Sequence, residues 1–132
     1  RTMDNLLAEL KPKPSIIIID FHAEATSEKM ALGHYLDGRV SAVLGTHTHV
    51  GTIDAQLLPA STAYVTDIGM TGPIDSIIGN STETVLQRFL TAMPNRLSVG
   101  HGKTMLNAVM VRIDDESGKA ISIDRIYQEV EV

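Results

Sequence analysis

The 132-residue sequence predicts an α/β fold, on three observations. Residues 15 to 45 read as strand, helix, strand, the unit from which parallel sheets are built. A helical pattern of apolar residues runs from Val85 to Met93. Two extended segments joined by the polar turn "DESGK" then close the chain, which is the pattern of an antiparallel hairpin.

Each element has its own signal. In "MDNLLAELKP", Asp4 can cap a short helix carrying Leu6, Leu7 and Leu10, which Pro12 and Pro14 terminate. "SIIIID" is a β-branched run too short for a buried helix, and it suits a central strand covered on both faces. "TSEKMALGHYL" offers Thr26 or Ser27 as a cap and an apolar stripe of Met30, Leu32, Tyr35 and Leu36, interrupted by Gly33. "GRVSAVLG" is a second buried-type strand. The following "AQLLPASTAYVTDIGMTGPIDSIIGN" mixes short apolar runs with Gly and Pro, predicting short strands joined by loops. Asn80 and Glu83 have the spacing of a capping pair for the helix bearing Val85, Leu86, Phe89, Leu90 and Met93. "TMLNAVMVRID" and "AISIDRIYQEVEV" are the two terminal strands. No internal repeat, low-complexity segment or linker interrupts the chain, and residues 1–132 are expected to form a single domain.

Composition narrows the function. The chain is 43% hydrophobic and 20% charged, and no apolar stretch approaches the ~20 residues of a membrane-spanning helix. Eleven basic against sixteen acidic side chains give a net charge of -5, which leaves no broad basic face for a polymeric nucleic acid. Without cysteine there is neither a disulfide framework nor a thiolate zinc site, so any metal must be held by imidazole, carboxylate, amide or water. No signal-peptide pattern is present, and the expected compartment is the cytoplasm. The chain starts with Arg1 already in a helical pattern, so the expectation is a piece of something longer.

The chemistry concentrates at "GTHTH", Gly45 to His49. An H-x-H pair on an extended segment points both imidazoles to one side, and neutral imidazole is a common ligand for borderline transition metals. Such a pair also occurs as ordinary polar loop residues. Its position favours a site, because ligands of α/β sheets gather beyond the carboxyl ends of strands, where His47 and His49 follow "VSAVLG" and His22 follows "SIIIID". Three imidazoles could converge at one sheet edge. Asp20 and Glu24 flank His22 and could orient its far nitrogen, although Glu24 reads equally well as a charge near a helix N-terminus.

"IIIIDFHAEATSEK", "GTHTH" and "TDIGMTGP", in that order, resemble the C-terminal half of the bacterial calcineurin-like metallophosphoesterases of the YmdB-like group, the 2',3'-cyclic-nucleotide 2'-phosphodiesterases. The likeness spans nearly the whole chain. It implies part of a β-sandwich flanked by helices, with a dinuclear centre of two divalent ions (iron, manganese, magnesium or zinc) at its edge. It also implies that His22 and His47 serve one metal and His49 the other. The remaining ligands and the proton donor to the leaving group would then come from an absent N-terminal half. Three histidines cannot hold two ions or offset their mutual repulsion, so this chain alone is expected to bind metal weakly and to be inactive. Asp67 lies in "TDIGMTGP", which resembles a family loop near the site, and backbone N–H groups around Gly69 to Gly72 could face a phosphate; a turn that needs glycine is the alternative.

Other candidates carry less. His34 reads as a surface or boundary residue of its helix. "GHGKT" fails as a P-loop because the required first glycine would fall at Leu97 and a strand follows, which leaves His101 and Lys103 as loop residues. The leading expectation is a metal-dependent phosphodiesterase acting on small cyclic nucleotides by a two-metal hydroxide mechanism. The alternative is a non-catalytic regulatory or assembly module of the same fold, and self-association into a homo-oligomer is expected in either case, through the helix around Phe89 or an edge of the hairpin. An amidohydrolase, which also uses H-x-H, needs a far longer barrel chain.

Overall fold

The computed structural model describes residues 1–131. The described elements are α1 (Thr2–Glu9), β1 (Ile18–His22), α2 (Thr26–Leu36), β2 (Ala42–Thr46), β3 (Gln56–Leu57), β4 (Ala63–Val65), β5 (Gly72–Pro73), α3 (Thr82–Thr91), β6 (Thr104–Ile113) and β7 (Ala120–Val130). Val132, at the end of the last expected strand, lies outside the described residues. Mixed α/β architecture is thus established, and none of the described helices is long and apolar enough to cross a membrane.

Two sheets form. The first has the order β1-β2-β4-β3, with β1, β2 and β4 parallel and β3 antiparallel to β4. The second, β5-β6-β7, is antiparallel throughout. The parallel sheet separates two apolar layers. On one face Leu36, Val40, Val43, Leu58 and Tyr64 form the larger core, with Met3 and Leu7 of α1 and Leu32 of α2 against it. On the other, Ala42 and Ala63 meet Ala120 of β7, flanked by Leu44, Val111 and Ile123. Alanines at this contact let the second sheet approach closely, and the larger side chains fill the helical side.

Several local expectations are corrected. β1 is an edge strand whose residues alternate in exposure, with Ile18 55% exposed, and it is not covered on both faces. Residues 15–17 of "SIIIID" precede the strand. Asp4 does not cap α1: Arg1 is the N-cap, and the Asp4 carboxylate instead accepts from the Tyr35 hydroxyl and the Arg39 guanidinium, each at 2.7 Å, tying α1 to the end of α2. α2 starts after Ala25 without a side-chain cap and buries Lys29, Gly33 and Leu36, whereas Met30 and Tyr35 of the expected stripe are exposed. Gly33 is required there because a Cβ would lie 2.6 Å from the Tyr64 ring. α3 is capped at Ser81 instead of Asn80, whose backbone bridges Ile77 and Val99. Of its apolar face Val85 alone is buried.

Candidate functional site

Parallel pairing aligns the carboxyl ends of β1 and β2, and residue 22 stands opposite residue 46. The His22 ring and that of His47, one residue beyond β2, consequently meet edge to face, with Nε2 of His22 3.1 Å from Nδ1 of His47. Behind them runs a polar chain. The Thr46 hydroxyl donates to Asp20 Oδ1 at 3.2 Å, so its oxygen is left to accept from His22 Nδ1 at 3.1 Å. That direction sets the tautomer: a neutral His22 protonated at Nδ1 presents the Nε2 lone pair toward His47 Nδ1. Asp20 therefore acts on His22 through Thr46, which the sequence reading missed, whereas Glu24 is exposed and makes no hydrogen bond to a histidine among the described residues.

The spacing suits one cation. Two imidazole nitrogens 3.1 Å apart, each about 2.1 Å from an ion, subtend an angle of about 95°, a normal value for neighbouring ligands. His49 is disposed differently: its Nδ1 lies 3.1 Å from the Ile78 carbonyl oxygen, which it can reach as a donor, freeing Nε2. Among the described residues, no group of three or more His, Asp or Glu side chains is arranged to hold a metal ion. His34 and His101 are exposed elsewhere, and Lys103 pairs with Glu129.

Both loop histidines have positive φ, 138° at His47 and 63° at His49, which costs a non-glycine residue of order 1 kcal/mol or more and persists only where the surroundings impose it. Asp67 imposes it. Its Oδ2 accepts from the N–H of Thr48, between the two histidines, at 2.9 Å and from Lys29 Nζ at 3.0 Å; Oδ1 accepts from Gly69 N–H at 2.9 Å. Lys29 and Asp67 are each 1% exposed. Burial disfavours the Asp67 carboxylate, but the Thr48 and Gly69 amides and the Lys29 ammonium outweigh it and hold its pKa below the ordinary value. The amides proposed for phosphate are already engaged at two points: Gly69 N–H by Asp67, and Met70 N–H by the His49 carbonyl at 3.1 Å. Gly69, at φ +88°, serves the turn that its alternative reading required.

A family profile described as YmdB-like protein matches residues 1–126. The chain belongs to the YmdB-like protein family. It is 57% identical over 123 residues to a 2',3'-cyclic-nucleotide 2'-phosphodiesterase of Bacillus subtilis (strain 168), covering 93% of this chain and 47% of that protein. A putative phosphatase/phosphodiesterase of Mycoplasma pneumoniae is 38% identical over 118 residues, covering 89% and 42% respectively. The chain therefore spans less than half the length of these curated relatives. Among solved structures, a hypothetical protein from Thermus thermophilus matches with TM-score 0.90 and 50% identity over 98% of this chain and 50% of that one. A structure described as a novel phosphatase from Mycoplasma pneumoniae matches with TM-score 0.90 and 35% identity over 98% and 46%.

Two further residues of this YmdB-like protein support the loop. Lys29 was not singled out in the sequence, where no local pattern marks its burial. Arg125 of β7 donates to three backbone carbonyls: those of Thr52 at 2.8 Å, Asp67 at 3.0 Å and Ile68 at 2.6 Å. It thereby pins both loops of the site to the second sheet. The alternation of β7 was the available sequence signal, since an arginine between apolar positions on a strand has to find acceptors. A cavity of about 370 Å³ opens between His49 and the second sheet.

Proposed function

We propose that this chain contributes His22, His47 and His49 to a metal-dependent phosphodiesterase that hydrolyses small cyclic nucleotides, 2',3'-cyclic nucleotides in particular, or similar phosphodiesters. The observation that carries the reading is the His22–His47 nitrogen pair, 3.1 Å apart at the carboxyl ends of two parallel strands. The activities named for the Bacillus and Mycoplasma relatives support the substrate class. Two divalent ions, of iron, manganese, magnesium or zinc, would supply a nucleophile at neutral pH and neutralise charge at phosphorus. His22 and His47 would hold one ion and His49 the other. The chain's own work is orientation: Asp20 and Thr46 hold the His22 tautomer, and Asp67 with Lys29 and Arg125 keeps the two loop histidines at their strained φ values. Carboxylate ligands and the proton donor would come from the N-terminal half that the family resemblance implies, and the two facing sheets would belong to one β-sandwich flanked by helices. Cytoplasmic location is part of the same proposal.

In the enzyme with its full ligand set, His47→Ala or His49→Ala is expected to abolish hydrolysis of 2',3'-cyclic AMP with the circular-dichroism spectrum unchanged. Near-normal turnover at saturating metal would overturn the assignment. Elemental analysis of protein purified without chelator is expected to find close to no metal on the 132-residue chain alone and two equivalents where the further ligands are present.

One observation favours an assembly role as well. On α3 and just past its end the face that should be buried is open, with Phe89 75%, Leu90 84% and Met93 66% exposed. Homo-oligomerisation through α3 would account for it. Sedimentation velocity should show an oligomer that Phe89→Ser with Leu90→Ser dissociates; a monomer in the parent chain would exclude this contact.

A further inference from the structure

The cavity beside His49 is not accounted for by any metal ligand set. One wall is His49 itself; the others include Met70, Ile74 and, from the second sheet, Met105, Asn107 and Tyr127, with Arg125 beside them. Its volume of about 370 Å³ falls in the range of small-molecule sites, and its character is theirs too: mostly apolar walls with a few fixed polar groups. Two thioethers and a phenol ring suit the faces of a flat heteroaromatic group, since methionine sulfur and aromatic rings attract each other.

Asn107 is the informative polar group. Its Nδ2 donates to the Met70 carbonyl at 3.1 Å and contacts Met105 Sδ at 3.5 Å, which fixes the amide plane and uses the donor side. The carbonyl oxygen has no partner among the hydrogen bonds of the described residues, so Asn107, which lines the cavity, has an acceptor to spare. We infer that this cavity receives the base of a nucleotide substrate, with Asn107 Oδ1 accepting from an exocyclic amino group such as that of adenine. The inference rests on the phosphodiesterase reading for the phosphate's position at the histidines; the base site itself requires no turnover. His49 then lies between the two halves of the ligand, with phosphorus on its histidine side and the base on its cavity side.

The test is an NMR titration of the 132-residue chain carrying ¹³C-methyl methionine, with adenosine, purine riboside and ribose as probes. Adenosine is expected to shift the Met70 and Met105 methyl signals saturably and to leave Met3, on the opposite face of the parallel sheet, unmoved. Ribose should shift none. Purine riboside, which lacks the amino group, should bind about tenfold more weakly, and Asn107→Leu should remove that difference. Met105→Trp, which fills the cavity, should abolish the adenosine shift at Met70; Ile74→Trp fills it from the other wall should the first variant fail to fold. No saturable shift with adenosine, or equal shifts with ribose, would overturn the base site. Equal affinity for purine riboside would overturn the role of Asn107.

Failure of the two readings can be told apart with glycerol 1,2-cyclic phosphate, which has the reacting group and no base. An enzyme that hydrolyses it as efficiently as 2',3'-cyclic AMP, with no adenosine binding, refutes the base site and leaves the phosphodiesterase. Adenosine binding in a protein that hydrolyses neither compound, with its ligand set complete, refutes the phosphodiesterase and leaves the site.

Discussion

Asp67→Asn keeps the shape of the side chain and removes its charge, leaving the Lys29 ammonium buried against a neutral amide. Both residues are 1% exposed and 3.0 Å apart, so water cannot replace the lost partner. Breaking such a pair from one side costs about 3–5 kcal/mol, a large part of the ~5–15 kcal/mol that holds a domain folded. For a chain of this size that is a fall in Tm of roughly 10–20 °C. Lys29→Met is milder, because the carboxylate keeps the Thr48 and Gly69 amides. In Lys29→Met/Asp67→Asn no charge remains to be stranded, and the double variant should recover at least about 1 kcal/mol over the sum of the singles. The assay is urea denaturation at pH 7 followed by circular dichroism. The pH dependence is a second reading of the same pair. Asp67 has a folded pKa below its ordinary value of 3.8, so its contribution is complete above that value and is lost as pH falls below it, through the folded pKa. Asp67→Asn should therefore flatten the acid limb of the stability curve below about pH 4. Single variants costing under about 1 kcal/mol, or strict additivity in the double, would refute the claim that a buried ion pair holds this loop.

Three other outcomes are expected. Gly45→Ala should cost about 3 kcal/mol or more by urea denaturation, because its Cβ would sit 1.8 Å from the Thr66 carbonyl and force β2 from β4. Thr46→Val removes the hydroxyl between Asp20 and His22; calorimetric titration with manganese of the enzyme with its full ligand set should show affinity lowered about 10- to 100-fold, whereas unchanged affinity would show that Thr46 does not orient the ligand. Arg125→Met leaves the Thr52 and Ile68 carbonyls without their donor, while that of Asp67 keeps the Thr52 N–H, and should cost about 2–3 kcal/mol, with faster amide exchange at residues 48 to 52 and 67 to 70; exchange raised equally over the whole chain would argue against a local clamp.

Local pattern was enough for the elements themselves. The β-branched run before Asp20, the apolar run before Gly45 and the helical spacing between them require only the side chains of about ten neighbouring residues, and they place His22 and His47 at two strand ends. Given right-handed strand-helix-strand connectivity, parallel pairing of those strands follows, and with it the meeting of the two rings. Partners distant in sequence were not legible. Lys29 and Asp67 are 38 positions apart, and a lysine on an amphipathic helix reads as solvated until a buried carboxylate is known to face it. The edge position of β1 depends on what pairs with it, and the exposure of Phe89 and Leu90 depends on what packs on α3; neither is written in those segments. Which residues could bind a cation, and on which strand ends they stand, is therefore written in the local order of the residues. How they are held is settled only in three dimensions, because an unfavourable φ at His47 and His49 is stable only when Asp67, Lys29 and Arg125, from three separate parts of the chain, close around the loop.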